Sequence, residues 1–295
     1  MTITIGVHSS NPSLYHLHHL TRLGLAQEEL APLGERVVFH PYTNGVRTGE
    51  LLARGVIDFG GTGSTPPITA QAAGHDIVYT AVSAPRPGHG AVLVPEDSPV
   101  RTVADLRGAT VHLATGSWQT HLIAKALDDA GLSYATDITP VHSGANSEEL
   151  LRTGAIAAWV AQGAHLAAAR RVGGLRTLIP TGDVITDRSV FFARRDLAES
   201  RPEVIEALTR ALGKADDWAA AHPREAAWIA AADLGGSADD WESALSALPW
   251  RIEPVTESFL AEQQEAADIF HRTGVIDRAV TVAHARTGAR AHRAA

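Results

Sequence analysis

A stretch rich in histidine and serine near the amino end, HSSNPSLYHLHH at residues 8–19, carries side chains that could do chemistry. Imidazole and hydroxyl groups at this spacing could form a Ser/His catalytic pair, a metal site or the rim of a ligand cleft. Residues 3–7 alternate as a strand does, so His8, Ser10 and Asn11 follow a strand. They then lie at the carboxyl edge of a sheet, where α/β proteins bind ligands. We interpret them as the first rim of a cleft.

The catalytic and metal alternatives have less support in this stretch. His8 beside Ser10 could act as a base on the serine, but no acidic partner and no G-x-S-x-G motif are identifiable. His16 and His19 lie opposite the leucine face of the following helix, which predicts a solvated face, with a His-x-x-His metal pair as the alternative. We predict no metal and no cofactor. If the chain is an enzyme, His8 is the first catalytic candidate.

Two further segments place glycine and hydroxyl groups between a strand and a helix. One is DFGGTGSTPP at residues 58–67 and the other is ATGSWQT at residues 114–120. N–H and hydroxyl groups at a helix start attract anions, although Gly and Ser are also ordinary residues of such turns. Because this arrangement of a strand, glycine and hydroxyl residues, and a helix start occurs twice, we predict a clamp for a small oxyanion. Its residues are Gly63, Ser64, Thr65, Gly116, Ser117 and Trp118.

Composition and charge exclude several classes of function. The 295 residues carry a formal net charge of −8 without a basic stripe, so no nucleic-acid partner is expected. No stretch approaches the ~18–20 unbroken apolar residues of a membrane helix, so no membrane insertion is expected. The absence of cysteine removes disulfides and thiol nucleophiles. No signal peptide precedes the first strand. The chain is therefore expected to be cytoplasmic if native as written, or periplasmic if a signal peptide was removed.

Strand-like and helical segments alternate along most of the chain, and a Pro/Gly-rich break lies at residues 83–90. This pattern predicts an α/β fold with mixed, mostly parallel sheets and helices on both faces. We expect two lobes, with residues 85–188 inserted as lobe 2 between residues 1–84 and 189–295 of lobe 1. The last third is predicted to be helical, at residues 203–221, 224–234 and 257–271.

Several stretches, in the same order along nearly the whole chain, resemble the aliphatic sulfonate/taurine/nitrate type of ABC-transporter solute-binding proteins. They are IDFGGTGSTPPITAQAAG (57–74), VPEDSPVRTVADLRGATVHLATGS (94–117), LDDAGLS (127–133), TDRSVFFARRDLAESRPEVIEAL (186–208) and LAEQQEAADIF (260–270). The resemblance implies a type II periplasmic-binding-protein fold, whose lobes close on a small oxyanion, with crossovers near residues 83–90 and 182–190. It implies an organosulfonate ligand and a possible ABC permease as partner.

The resemblance also implies positions for ligand-binding residues. Carried over by position, the residues expected to line the cleft are Ser10, Asn11, Ser64, Thr65, Ser117 and Trp118. Arg188 is expected near the crossover. Trp159 stands in a strand where these relatives have Asp-Ala-Trp. The acidic and aromatic residues that usually follow are replaced here by residues 161–165, AQGAH. The tail of the ligand is therefore not carried over from the family.

A cytoplasmic enzyme on the same scaffold is the alternative function. A sulfinate desulfinase and a thiamin-pyrimidine synthase share this fold, but each depends on cysteine, which this chain lacks. Cleft histidines and serines would then carry the chemistry. In the binding interpretation His8 hydrogen-bonds the ligand, and a protonated His8 would strengthen anion binding at lower pH.

Overall fold

The computed structural model describes residues 2–288 and contains two β-sheets flanked by helices. The strands are β1 (Thr2–Val7), β2 (Arg36–Pro41), β3 (Phe59–Thr62), β4 (Ile77–Ser83), β5 (Gly90–Pro95), β6 (Ala109–Leu113), β7 (Ile138–His142), β8 (Ala158–Gln162), β9 (Leu175–Pro180), β10 (Val190–Arg194) and β11 (Ile252–Glu253). The α-helices are α1 (Pro12–His19), α2 (Leu25–Leu30), α3 (Thr48–Ala53), α4 (Thr65–Ala72), α5 (Trp118–Asp129), α6 (Ser147–Arg152), α7 (Gly163–Val172), α8 (Arg195–Ser200), α9 (Pro202–Ala221), α10 (Pro223–Leu234), α11 (Ala238–Ser246) and α12 (Glu257–Arg272).

The two sheets define two lobes. The first sheet has the strand order β11-β4-β10-β3-β1-β2, and the second has the order β7-β6-β8-β5-β9. The predicted mixed α/β architecture is confirmed. The parallel share is smaller than predicted, because β10 and β5 pair antiparallel with both of their neighbours. The boundaries at 1–84, 85–188 and 189–295 stay a prediction, and residues 289–295 lie outside the described part.

Local sequence signals explain several element ends. Asn11 caps the start of α1, and Gly24 adopts a left-handed conformation (φ 68°) directly before α2. The sequence pattern did not predict β10, which is buried between β3 and β4 in the first sheet.

A continuous apolar core joins the two lobes. Side chains around the first sheet, such as Leu52 and Ile68, belong to the same buried cluster as Val111 and Leu122 around the second. Ion pairs between α5 and α12 support this contact, because Lys125 Nζ lies 3.0 Å from a Glu265 oxygen and Arg272 Nη2 lies 2.7 Å from one of Asp128. The cleft is therefore closed at this end by packed helices.

Tight packing of α3 on α4 gives a stability prediction. A Cβ on Gly49 would lie 2.4 Å from the Cβ of Ala70, so Gly49→Ala should lower the free energy of unfolding by about 1–3 kcal/mol. Gly213→Ala in α9 is the matched control, because its Cβ would meet nothing within 4 Å. That change should stabilise by up to about 1 kcal/mol. Urea unfolding of both variants measures the change in the free energy of unfolding, which should be negative for Gly49→Ala and positive for Gly213→Ala. Equal changes for the two variants would contradict the close packing of α3 on α4.

Candidate functional site

A cavity of about 260 Å³ lies between the two lobes, where loops after β1, β2 and β3 face the start of α5 and the end of β8. From the first lobe it is lined by His8, Ser10, Thr43, Asn44, Gly45, Val46, Thr62, Gly63 and Pro66. From the second lobe it is lined by Ala114, Thr115, Gly116, Ser117, Trp118, His142 and Gln162. We call it the head cavity.

Two glycines let the lobes approach each other at the head cavity. A Cβ on Gly63 would lie 2.7 Å from the Cβ of Trp118 in the other lobe. A Cβ on Gly116, whose φ is 78°, would lie 2.6 Å from Val46 Cγ2 across the same gap. Both contacts are closer than packed carbons allow, so these positions must lack a side chain for the cleft to close as observed.

A chain of amide hydrogen bonds fixes the side chain of Gln162. The backbone N–H of Ala114 donates to Gln119 Oε1 at 2.7 Å, which orients the Gln119 amide. Gln119 Nε2 and Trp118 Nε1 then both donate to Gln162 Oε1, at 2.9 and 3.0 Å. No described residue accepts from Gln162 Nε2, which is therefore available to donate to a ligand in the cleft.

Other donors of the head cavity are hydroxyl and amide groups, because most N–H groups of the turn are already bonded. Ser117 Oγ accepts from the N–H of Gln119, as an N-cap does, and keeps its own proton. The N–H of Gly116 donates to Thr120, and that of Ser117 to a backbone carbonyl. Asn44 Oδ1 accepts from a backbone N–H, which leaves its Nδ2 to donate. Ser117, Asn44 and Gln162 can thus donate to one anion.

His8 and Ser10 form a polarised pair at the rim of the head cavity. His8 Nε2 lies 3.0 Å from the Thr43 carbonyl oxygen, and Nδ1 lies 2.5 Å from Ser10 Oγ. In the neutral ring Nε2–H donates to the carbonyl, so Nδ1 accepts the Ser10 proton. Burial lowers the pKa of His8, and the bond to the Thr43 carbonyl offsets part of this decrease. The unliganded pair therefore presents Ser10 lone pairs to the cavity.

The lining of the head cavity contains no carboxylate, ammonium or guanidinium group among the described residues. Among the described residues that line it, none is Asp, Glu, Lys or Arg. A singly charged anion can be held by several neutral donors, whereas burying a doubly charged anion without a counter-ion costs far more free energy. The arrangement therefore suits a small monoanion better than a dianion, and it offers no carboxylate to a cationic ligand group.

Comparisons with known proteins show similarity over most of the chain. The family model described as "NMT1/THI5 like" matches residues 34–226. The chain is 34% identical to an aliphatic sulfonates-binding protein of Escherichia coli (strain K12). The alignment spans 235 residues, which are 79% of this chain and 73% of that protein. The chain belongs to the NMT1/THI5-like family.

Solved structures extend the similarity of this NMT1/THI5-like chain to nearly its full length. The periplasmic aliphatic sulphonate binding protein SsuA from Escherichia coli superimposes with a TM-score of 0.85 at 30% identity, covering 97% of each chain. The alkanesulfonate-binding protein SsuA from Xanthomonas axonopodis pv. citri, bound to MOPS, gives 0.81 at 28% identity and the same coverage. The periplasmic-binding-protein fold is thereby confirmed.

The predicted clamp is only partly in the head cavity of this family member. Gly63, Gly116, Ser117 and Trp118 line it, as do His8 and Ser10, whereas Ser64 and Thr65 do not. Ser64 Oγ lies 2.9 Å from Nδ1 of buried His121, and the Thr65 hydroxyl is buried without a partner among the described residues. Two prolines in the first turn of α4 also remove N–H donors. Of the three residues predicted for the lobe 1 part of the clamp, Gly63 lines the head cavity.

Three further expected ligand contacts lie elsewhere. Asn11 is buried and caps α1, because its Oδ1 accepts from the N–H of Leu14 at 3.1 Å. Trp159 packs into the core of the second lobe. Arg188 donates to the Ser83 carbonyl and to Glu253, both at 2.7 Å. None of the three lines the head cavity, and Arg188 lies at the crossovers, where it bonds Ser83.

A second arginine, Arg86, also joins the two crossovers. Buried Arg86 donates to Asp187 Oδ1 and to Ser189 Oγ, both at 3.1 Å. His89 Nδ1 lies 3.2 Å from Asp187 Oδ2, but the two atoms are not aligned for a hydrogen bond. Burial lowers the pKa of His89 well below its ordinary value, and the Arg86 charge lowers it further. His89 is thus neutral, and Asp187, at φ 43°, pairs with Arg86.

The solvated face predicted for the α1 histidines is wrong for His16. Its side chain is buried, Nδ1 donates to the Pro12 carbonyl at 2.8 Å, and the ring packs edge-on against Trp250. Burial lowers the pKa of His16 to about 4, so the ring is neutral. Within residues 2–288, no group of three or more His, Cys, Asp or Glu side chains is arranged to hold a metal ion.

The sequence pattern missed several residues of the head cavity. The loop 43–46 follows β2, and Thr115, His142 and Gln162 stand at or just after the ends of β6, β7 and β8. The carboxyl ends of parallel strands meet at one edge of a sheet. The residues at or after the ends of β2, β6 and β7 could therefore have been predicted to lie at the cleft. Gln162 is different, because its role depends on the side chains of Trp118 and Gln119.

A second cavity of about 230 Å³ lies beside the head cavity and shares Ser10 and Gln162 with it. We call it the side cavity. Residues of the β1–α1 loop, the β8–α7 turn, α10 and α11 line it, together with His89.

No helix of the described residues is long and apolar enough to cross a membrane.

Proposed function

We propose that this protein binds a small organosulfonate in the head cavity and delivers it to an ABC-type permease. The observation that carries the proposal is an interlobe cavity whose available donors, on Ser117, Gln162 and Asn44, are all uncharged. A sulfonate is a monoanion with three acceptor oxygens, which three neutral donors can match. The names of the E. coli and X. axonopodis relatives support the same ligand class.

The location follows from the same proposal. A receptor that hands its ligand to an importer works outside the cytoplasmic membrane, and the E. coli structure is named a periplasmic protein. The lobes would close on the ligand by movement about the crossovers near residues 83–90 and 182–190, which the Arg86–Asp187 pair connects.

Specificity for oxyanions tests the proposed ligand class. A ligand that binds only the folded state raises the melting temperature, so a panel can be ranked by thermal unfolding. We expect butane-1-sulfonate to raise the melting temperature more than nitrate, sulfate or phosphate at equal concentration. A larger rise in melting temperature with sulfate or phosphate than with butane-1-sulfonate would contradict the argument that uncharged donors favour a monoanion.

An enzyme acting on the bound ligand is the second candidate, because Ser10 Oγ lies 2.5 Å from His8 Nδ1. The other nitrogen of the ring faces the Thr43 carbonyl and not a carboxylate, so the orienting acid of a triad is missing. Mass spectrometry of alkyl sulfonates and sulfinates after long incubation distinguishes the two functions. We expect both ligands to be recovered unchanged, and a converted ligand would make this protein an enzyme.

The contact between Gly63 and Trp118 gives a prediction for affinity. Gly63→Ala places a methyl group 2.7 Å from the Trp118 Cβ and so opposes closure on the ligand. We expect the Kd for butane-1-sulfonate to rise about 10-fold, since overpacking costs about 1–3 kcal/mol. Gly213→Ala is the matched control, because it lies in α9, away from the crossovers, and its Cβ would meet nothing within 4 Å. Equal Kd values for the two variants would show that closure does not depend on this contact.

A further inference from the structure

Asn44 stands directly before Gly45 in the loop that follows β2, and both residues line the head cavity. The Asn44 side chain is exposed to solvent. The amide carbon of an asparagine side chain can be attacked by the peptide nitrogen of the next residue, which closes a five-membered ring. A glycine at that next position has no Cβ to shield its nitrogen. The pair Asn44–Gly45 can therefore lose its side-chain amide.

The conformation of this loop brings the two reacting groups together. Asn44 Oδ1 accepts from the N–H of Val46 at 3.0 Å, and Asn44 itself is extended (φ −118°, ψ 102°). Such an Asx turn folds the side-chain amide back over the intervening peptide bond, whose nitrogen belongs to Gly45. The same hydrogen bond polarises the amide carbonyl, which makes its carbon a better target for attack. The folded loop thus favours ring closure.

The attacking nitrogen of Gly45 is also free to react. Among the described residues, none accepts a hydrogen bond from the Gly45 N–H. Ring closure therefore breaks no existing hydrogen bond of this nitrogen. The surroundings of Gly45 are not tight, because a Cβ at this position would meet its nearest neighbours, two atoms of the His8 ring, at 3.4 Å.

The chain contains two other asparagines, and neither combines these features. Asn11 is buried, and the Pro12 that follows it has no N–H to lose. Asn146 is exposed, but its side chain makes no cap bond. The N–H of the following Ser147 already donates to a backbone carbonyl at 3.1 Å. These two asparagines therefore serve as internal references for the reaction.

We propose that Asn44 is a deamidation site, and that its modification weakens sulfonate binding. The Gly45 nitrogen bonds to Asn44 Cγ, the C–N bond of the side-chain amide breaks, and ammonia leaves with the proton of the Gly45 N–H. Water then opens the cyclic imide at either carbonyl, which gives aspartate or iso-aspartate. The effect on binding rests on the proposed function, whereas the modification itself does not.

Both products change the head cavity in the same direction. The Nδ2 donor of Asn44 is replaced by a carboxylate oxygen, which places a negative charge beside the bound monoanion. Iso-aspartate also adds one carbon to the backbone just before Val46, which lies against Gly116 of the other lobe. A bound sulfonate that accepts from Nδ2 holds the amide in place. The occupied protein should therefore be modified more slowly than the empty one.

Peptide mapping by mass spectrometry tests the modification in native protein kept at about pH 8. We expect residue 44 to show the mass change of an amide turned into an acid, with residues 11 and 146 unchanged. Gly45→Ala should slow the conversion, because the new Cβ shields the nitrogen and makes only ordinary contacts with His8. Equal conversion at residues 44 and 146 would overturn the site. So would an unmodified residue 44 under conditions in which the urea-unfolded protein converts.

Asn44→Asp reproduces one product and tests the effect on binding separately. Calorimetry with butane-1-sulfonate at about pH 8 should give a Kd about 100-fold above that of wild type. Asn146→Asp is the matched control, because it adds the same charge at an exposed position outside both cavities, and it should bind as wild type does. A wild-type Kd for Asn44→Asp would overturn the effect on binding. Fresh wild-type protein that does not bind butane-1-sulfonate would overturn the proposed function, whereas the mass spectra alone decide the modification.

Discussion

Replacing Gln162 by glutamate should weaken sulfonate binding about 100-fold. In the Gln162→Glu variant the new carboxylate still offers an oxygen to accept from Trp118 Nε1 and Gln119 Nε2, so the hydrogen-bond chain is preserved. The Nε2 donor becomes a carboxylate oxygen that repels the anion. Loss of a hydrogen bond to a charged group costs about 1.5–3 kcal/mol, and every 1.4 kcal/mol is a factor of about ten in Kd.

The Gln162→Glu variant is compared with wild type by calorimetric titration of butane-1-sulfonate at about pH 8. Ser246→Glu is the control, because it adds one negative charge at an exposed position on α11, away from both cavities. We expect the control to bind as wild type does. An unchanged Kd for Gln162→Glu would mean that Gln162 Nε2 does not contact the anion, and the head cavity would then need another donor set.

Sulfonate binding should strengthen by about 10- to 100-fold as the pH falls from about 8 to about 5. Burial lowers the pKa of His8, so the ring is neutral in the unliganded protein near neutral pH. A protonated ring would donate from Nδ1 to Ser10 Oγ, which frees the Ser10 proton to donate to the ligand. A bound anion favours this form and raises the pKa of His8. Affinity therefore rises below the pKa of the complex and levels off below the pKa of the free protein.

The measurement is the Kd of butane-1-sulfonate at unit steps of pH, together with proton uptake from titrations in buffers of different ionisation enthalpy. His8→Gln should flatten the pH dependence. His142→Gln, at the other histidine of the head cavity, should retain it. A wild-type Kd that is the same at pH 6 and pH 8 would contradict the His8–Ser10 mechanism.

Much of the fold and part of the site could be predicted, because those features depend on neighbouring residues. The turns around Gly63 and Gly116 have local sequence signals, and they do lie at the cleft. His8 follows β1 directly, so its place at a sheet edge follows from strand direction alone. Local patterns of this kind are readable from one chain, since no distant partner decides them.

The residues that were misplaced or missed are those whose role is decided by distant partners. His16 is buried because Trp250, far along the chain, packs on it. Gln162 becomes an oriented donor only through Trp118 and Gln119, more than forty residues earlier. Arg86 and Arg188 both join the crossovers, because Arg86 reaches buried Asp187 and Arg188 reaches the Ser83 carbonyl. Helical and strand periodicity carry no information about such contacts.

The strand β10 was missed for a related reason. Its apolar residues Val190–Ala193 form a short run between charged segments, and such a run does not distinguish a strand from a helix start. The run becomes a strand because β3 and β4 pair with it on both sides, from more than a hundred residues away.

Calorimetric titration of the wild-type protein with butane-1-sulfonate at about pH 6 tests the central claim most directly. The ligand offers a sulfonate head, which the head cavity should accept, and a short uncharged tail. We predict one site per chain with a Kd on the order of 1 μM or tighter, and competition by sulfate only at far higher concentration. The absence of binding at millimolar ligand, or equally tight binding of sulfate, would contradict the account.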